Sequence, residues 1–239
     1  MRVEAPHVTD WRMGNRKDGQ TPDRVSSNSS WGYDMTSAPI RVLAAVMAGT
    51  NALAWVLWAR WERPGYDLEL RAGLSPIPFI GRGGDLIQVV PFVYPVLVVV
   101  VPSWAHEGWL NWSTAIDLAL QVAGVGLWAL GIAVGLWAAH AMGGYGAVSG
   151  VTVDHQLVSD GPYRYVRHPI YTALIAITVG TTLVFRSHLL LIVTVLSIVT
   201  HLWWATTEEK LLSSPEGLGD DYRAYASRTG RFLPRVRRS

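Results

Sequence analysis

The chain alternates long apolar stretches with short polar ones. Residues 40–59, 86–104, 115–142, 169–185 and 188–205 are apolar throughout apart from an occasional charge near one end. A helix needs about 20 apolar residues, with a range of roughly 17–25, to cross a bilayer. The pattern therefore predicts five membrane helices. The third is long enough to tilt or bend, and the fourth and fifth, separated only by Arg186 and Ser187, must form an antiparallel hairpin. Residues 1–37 are rich in Ser, Asn, Asp and Gly and contain no apolar run, so they read as a mobile polar tail without a cleavable signal, and the first span directs insertion. Residues 60–85, with Pro64, Pro76, Pro78 and three glycines between 81 and 84, read as an irregular loop. No repeat is visible. The expected organisation is the tail 1–37, two N-terminal membrane helices within 38–114, and a core over 115–239. That core comprises helices three to five, a polar loop 143–169 and a C-terminal cap 206–239.

Composition agrees with a membrane chain. Charged residues make up 16% of the 239 positions and apolar residues 50%, against about 25% charged in a soluble domain. A net charge of +2 and 12 Trp disfavour a solvated coil and a strongly basic nucleic-acid binder alike. Many of the Trp cluster near span ends, among them Trp55, Trp58, Trp61, Trp104, Trp109 and Trp112, as in an interfacial aromatic belt. With no cysteine there is no disulfide, thiolate nucleophile or Cys-ligated metal.

Placing Arg60, Arg63, Arg71, Arg82, Arg164, Arg167 and the seven basic residues from Lys210 to Arg238 on one side gathers most of the 20 Lys and Arg there. By the positive-inside rule that side is the cytosol, with the N-terminus outside and the C-terminus inside. The basic residues of the N-terminal tail run against this orientation. The last arginines, Arg235, Arg237 and Arg238 with Arg231, suit anionic lipid headgroups.

Two polar, aromatic segments fall on that same side. The first runs from His155 to Tyr171 and places His168 at a helix cap, Pro169 at the first helical position and Tyr171 one turn in. Free amides there can receive a polar ligand. The second begins with Glu208 and Glu209, continues through Tyr222 and Tyr225, which share a helix face, and ends at Arg231. Adjacent helical carboxylates point about 100° apart, so one of the pair is expected in a pocket and the other in water or beside Lys210.

The string GPYRYVRHPIYTA (161–173), then EEKLL (208–212), GDDYRAY (219–225) and RFLP (231–234), resembles the isoprenylcysteine carboxyl methyltransferase family. Its relatives include membrane phospholipid N-methyltransferases and thiol S-methyltransferases. The resemblance covers roughly residues 142–234, and three motifs in order between the right spans make it specific.

It implies an all-α integral membrane protein of about five transmembrane helices, with a C-terminal helical hairpin and a cytosolic cap. The cap binds S-adenosylmethionine, leaving S-adenosylhomocysteine as product. Cofactor contacts are implied at His155, Gln156, Leu157, Gly161, Tyr163, Arg167, His168, Pro169, Tyr171, Glu208, Glu209, Tyr222, Tyr225 and Arg231. Such a cofactor needs donors for its carboxylate, acceptors for its ribose, aromatic or anionic groups for its sulfonium and an apolar slot for its adenine. No metal is required. The acceptor would enter sideways from the bilayer among membrane lipids, with Tyr171, Trp203 and Trp204 lining its path. His168, His201 and Glu208 are the expected catalytic groups.

The chain departs from the prenylcysteine enzymes in one respect. Those relatives usually carry an Arg about one turn before the Glu pair, whereas this chain has His201, Trp203, Trp204 and Ala205 there. A carboxylate would lie unpaired at that depth, so a neutral lipophilic amine, thiol or phenol is the expected acceptor, with His201 or His168 taking its proton.

Plainer roles stand beside these. His168 can simply cap a helix, His201 can be a packed intramembrane residue, and Glu208 and Glu209 can end a helix in water. His140 and His188 read as structural, and Gly131 with Gly135 as a close helix-packing face. Gly143, Gly144, Gly146 and Gly150 lack the preceding strand that a soluble nucleotide-binding loop requires. NADPH-dependent membrane sterol reductases share an Arg-His-Pro-x-Tyr element and are the enzymatic alternative, with a non-catalytic membrane protein the third. The absence of visible sorting signals suggests a bacterial cytoplasmic membrane. Nothing in the sequence indicates an oligomeric state or nucleic acid as a partner.

Overall fold

A computed structural model describes residues 38–61, 70–73, 78–102, 114–143, 150–152 and 156–235. The polar tail 1–37 and His155 lie outside the described residues. The elements in order are α1 (Ala38–Trp61), β1 (Leu70–Gly73), α2 (Pro78–Val100), α3 (Thr114–Met142), β2 (Gly150–Thr152), a one-turn 3-10 helix (Gly161–Arg164), α4 (Pro169–Phe185), α5 (His188–Leu212) and α6 (Asp220–Arg228). The protein is a helical membrane protein. Ala38–Arg60, Ala115–Met142 and His188–Leu212 are long and apolar enough to cross a bilayer, while the apolar part of α2, Ile87–Val100, and α4 are shorter. At 17 residues, α4 sits at the lower limit for a span.

Three boundaries differ from the sequence reading. The stretch 60–85 is not wholly irregular, because β1 lies within it and α2 begins at Pro78. Proline suits a first helical turn, where no amide partner is needed, and the helix then runs on through the glycines. At the other end α2 stops at Val100 rather than near Trp104, since Pro102 disfavours helix in the residue before it. Third, β1 pairs antiparallel with β2, Leu70 opposite Thr152 and Gly73 opposite Gly150. This small ribbon gives the backbone of two connecting segments hydrogen-bond partners that neither has alone.

The helices assemble around α3 and α4, whose contact is the most extensive in the molecule, with α5 folded back on α4 and α2 against α5. Small residues explain the closeness. A Cβ on Gly180 would lie 2.6 Å from the Trp128 amide nitrogen and 2.7 Å from the Gly124 carbonyl oxygen, and one on Gly131 would lie 2.8 Å from the Ala173 carbonyl oxygen. In lipid there is little hydrophobic drive between helices, so such backbone proximity supplies the association. The GxxxG pair is thus a packing face, extended by Gly124 and Gly180.

Polar links tie the bundle further. Trp128 donates to Asn51 Oδ1 at 3.1 Å, and Asn51 donates to the Phe92 carbonyl at 3.3 Å, joining α3, α1 and α2. Thr182 and Thr194 hydroxyls, 2.7 Å apart, join α4 to α5. Val42, Val46, Leu53 and Val56 on α1 and Ile192, Val195 and Val199 on α5 are exposed and suit lipid contact. The α4–α5 turn is made by Arg186 in the left-handed conformation (φ 48°) and an extended Ser187. Arg186 is buried there in an ion pair with Asp117 of α3, which seals that end of the bundle.

Candidate functional site

The opposite end of α4 gathers the polar and aromatic residues of the candidate site. The 3-10 helix brings the chain from Gly161 to α4, and Gly161 has φ +58°, where a side chain would be strained and its Cβ would press on Ala141 and Trp137. From there the backbone of residues 165–168 is clasped by the C-terminal segment. Arg167 N–H donates to Gly230 O (2.8 Å), His168 N–H to Arg231 O (3.1 Å) and Gly230 N–H to Tyr165 O (3.2 Å). Side chains reinforce the clasp. Arg167 donates to the carbonyls of Ala226 (2.9 Å) and Thr229 (2.8 Å), Tyr225 donates to Tyr163 O (2.6 Å), and Thr172 donates to Phe232 O (3.0 Å). The tail is therefore part of the site and holds α6 against it.

His168 makes no side-chain capping bond to α4; its buried ring turns to the end of α5 instead. Nε2 lies 3.1 Å from Glu209 Oε1, and Nδ1 lies 3.5 Å from Glu208 Oε2. The expectation that only one carboxylate serves the pocket is thus corrected. An imidazole presents its two nitrogens in different directions, so a ring laid across the end of α5 reaches both neighbours despite their angular offset. Burial by itself would lower the His168 pKa, but hydrogen bonds to Glu208 and Glu209 outweigh it, and the ring holds its proton above the ordinary histidine range.

The two glutamates differ in occupancy. Glu209 Oε1 accepts from Arg167 Nε at 2.9 Å, faces His168, and has Arg231 Nε 3.2 Å away as an ion pair without hydrogen-bond alignment. Three cationic groups on one oxygen make Glu209 the anchor of the tail. Glu208 Oε2 accepts from the Tyr171 hydroxyl at 3.0 Å, while the side chain stays 30% exposed with capacity for a further donor.

Aromatic rings fill the space around this core. Tyr171 stacks on His168 at 5.3 Å and 7°, and Phe232 tilts against the same ring at 5.7 Å. Tyr222 packs on Tyr225, and its hydroxyl is buried without a hydrogen-bond partner. Burial, followed by the nearby carboxylates, pushes the Tyr163 and Tyr222 phenols up, so both stay protonated donors. Deeper along α5, Tyr171 also touches His201 (5.2 Å) and Trp204 (6.3 Å).

Of the residues singled out from the sequence, Tyr163, Arg167, His168, Tyr171, Glu208, Glu209, Tyr222, Tyr225 and Arg231 meet at this end, with Pro169 buried beside them. Gln156 is exposed and Leu157 half-buried at its margin, and Trp203, half-buried on α5, takes no part in the ring contacts made by Trp204. Sequence reasoning missed Phe232, although it stood in the RFLP string. It also missed Thr206, which accepts from Arg231 Nη2 at 2.7 Å, and Gln88.

Residues 120–214 match the family model for phospholipid methyltransferase. Over these residues, less than half of the chain, the protein is similar to the phospholipid methyltransferase family. The matched stretch runs from the first turns of α3 to just beyond α5, so it contains both halves of the His168–glutamate cluster; α1, α2 and the clasping tail lie outside it. The family implies methyltransferase activity in general, and its members generally use S-adenosylmethionine. No curated protein matches the chain.

Proposed function

We propose that the protein transfers a methyl group from S-adenosylmethionine to a lipophilic acceptor, and that the polar end of α4 and α5 binds the cofactor from the cytosol. One observation carries the reading. Two carboxylates, one partly open, converge on one imidazole among several aromatic rings where a family-matched membrane hairpin meets a folded tail.

The residues present fit the cofactor. The unpartnered buried Tyr222 hydroxyl and the spare capacity of Glu208 are a donor and an acceptor without assignments in the fold. A ribose offers hydroxyls for Glu208, and a carboxylate offers acceptors for Tyr222. Glu208 and the Tyr171 face supply negative potential for a sulfonium. When bound, the cofactor supplies an electrophilic methyl group on positively charged sulfur.

The chain's share of the work is then alignment and exclusion of water. Arg167 and Arg231, fixed on Glu209, hold the tail over the site, and Tyr171 joins the polar cluster to the apolar wall of α5. Trp204 and Tyr171 line the approach of an acceptor arriving through the bilayer. His201, Trp203, Trp204 and Ala205 offer no guanidinium for a prenylcysteine carboxylate.

Calorimetric titration of the detergent-purified protein with S-adenosylhomocysteine and, separately, NADPH tests the cofactor. Saturable binding of the homocysteine compound alone is the expected result. Binding of NADPH alone would transfer the site to the reductase reading.

A further inference from the structure

Ser197, His201, Trp204 and Glu208 recur along one stripe of α5 at helical spacing, which sets His201 two turns deeper in the bundle than Glu208. His201 is fully buried. Its Nδ1 stands 2.7 Å from the Ser197 carbonyl oxygen, which can only accept, and 3.3 Å from the Ser197 hydroxyl. That hydroxyl donates to Gln88 Oε1 at 3.3 Å, so it turns lone pairs towards the ring. Both neighbours place the proton on Nδ1, and the neutral ring carries a bare lone pair on Nε2. Nε2 is buried and has no hydrogen-bond partner. Tyr171 and Trp204 wall the ring, at 5.2 and 5.8 Å, and the same Tyr171 reaches Glu208 through its hydroxyl. The His201 ring thus adjoins the polar cluster through Tyr171.

We propose that His201 Nε2 receives a proton from the methyl acceptor, and that the substrates are lipophilic molecules whose nucleophilic atom carries one: a thiol, a phenol, or a neutral primary or secondary amine. The inference rests on the methyl-transfer reading above. A lone pair of the acceptor atom attacks the methyl carbon, the new bond to carbon forms as the carbon–sulfur bond breaks, and that bond's electron pair stays on sulfur as a thioether. The acceptor's proton passes to Nε2 and leaves to water with product exchange. A carboxylate has no proton to offer and would face the lone pair with like polarity, and a tertiary amine offers nothing for it to receive. Gln88 is a positioning residue. It lies on α2, outside the family-matched stretch, and reinforces through the Ser197 hydroxyl the tautomer that the Ser197 carbonyl sets.

The test uses the full-length protein in detergent. His201→Asn keeps a donor for the Ser197 carbonyl and removes the basic nitrogen. With S-adenosylhomocysteine affinity retained, transfer of labelled methyl from S-adenosylmethionine to decanethiol, 4-nonylphenol or decylamine should fall about 100-fold at pH 7, and the deficit should shrink as pH rises towards the acceptor's own pKa. Dimethyldecylamine and decanoate should be poor acceptors with either protein. In parallel, 15N spectra of histidine-labelled protein should contain one Nε2 signal of a bare imidazole nitrogen that disappears in His201→Asn. Gln88→Leu should lower kcat and alter its pH profile while leaving cofactor affinity unchanged. Full activity of His201→Asn with an unaltered pH profile, a protonated Nε2, or methylation of decanoate or the tertiary amine at least as fast as the protic compounds overturns the proposal. So does a cofactor-binding protein that methylates none of the three protic compounds. Failure of the wild type to bind S-adenosylhomocysteine is a different result and overturns the cofactor reading itself.

Discussion

The two ends of α4, about 25 Å apart by helical rise, each hold ion pairs, and the pairs are built for different ends. At the turn into α5, Asp117 and Arg186 face each other with side-chain exposures of 11% and 3%, sealed between α3 and the hairpin. At the opposite end the carboxylates outnumber any single partner. Glu209 binds three cationic groups, while Glu208 keeps 30% of its side chain open, beside a buried tyrosine hydroxyl without a partner. A closed pair between α3 and the hairpin serves the fold. A cluster with a part-exposed carboxylate and a spare donor supports the proposed cofactor site, because a buried polar group left unmet is costly in the free protein and its cost is recovered on binding.

Substitutions at the two ends should separate these roles. The largest effect is expected at the closed end. Asp117→Ala leaves the Arg186 guanidinium buried without its carboxylate and should destabilise the protein by about 3–5 kcal/mol, read as a lowered Tm in detergent, with unchanged S-adenosylhomocysteine affinity in the fraction that folds. Next is Glu208→Ala at the open end. Losing a hydrogen bond to a charged group, about 1.5–3 kcal/mol, should weaken the same ligand roughly 10- to 100-fold by calorimetry and move Tm little. If Glu208→Ala unfolds the protein as readily as Asp117→Ala, the two ends do not differ as described.

Between the ends, Gly180→Val forces a side chain into the Trp128 and Gly124 backbone and should cost about 1–3 kcal/mol, again read as Tm. The smallest effect concerns pH. The folded pKa of His168 is raised, so the stability contributed by its protonated ring is fully present below the unfolded value of about 6.5 and is lost as pH rises through the higher folded value. The Tm advantage of wild type over His168→Gln should therefore narrow from neutral pH upward. An advantage that grows instead would mean that the ring is held neutral.

The spans and the cluster were legible in the sequence for different reasons. Apolar runs near bilayer length announce membrane helices through composition alone. His168 and the Glu pair came from motif order, because local strings survive without knowledge of the fold. What stayed hidden joins distant positions. Asp117 meets Arg186 across 69 residues and Ser197 meets Gln88 across 109, pairings that helix packing creates and no local pattern encodes. The shared grip of Glu208 and Glu209 on one ring was missed because helical spacing describes where side chains start, while His168 decides where they converge. The β1–β2 pair was missed because Pro- and Gly-containing segments read as loop.

The difference between the ends is tested most directly by hydrogen–deuterium exchange of the wild-type protein with and without S-adenosylhomocysteine. Protection is expected over residues 156–171 and 206–232, the 3-10 helix, the start of α4, the end of α5 and the clasping tail, with no change at the 183–190 turn. Binding that leaves 156–171 and 206–232 unprotected, or that protects the Asp117–Arg186 end instead, would contradict the assignment of the polar cluster as the cofactor site.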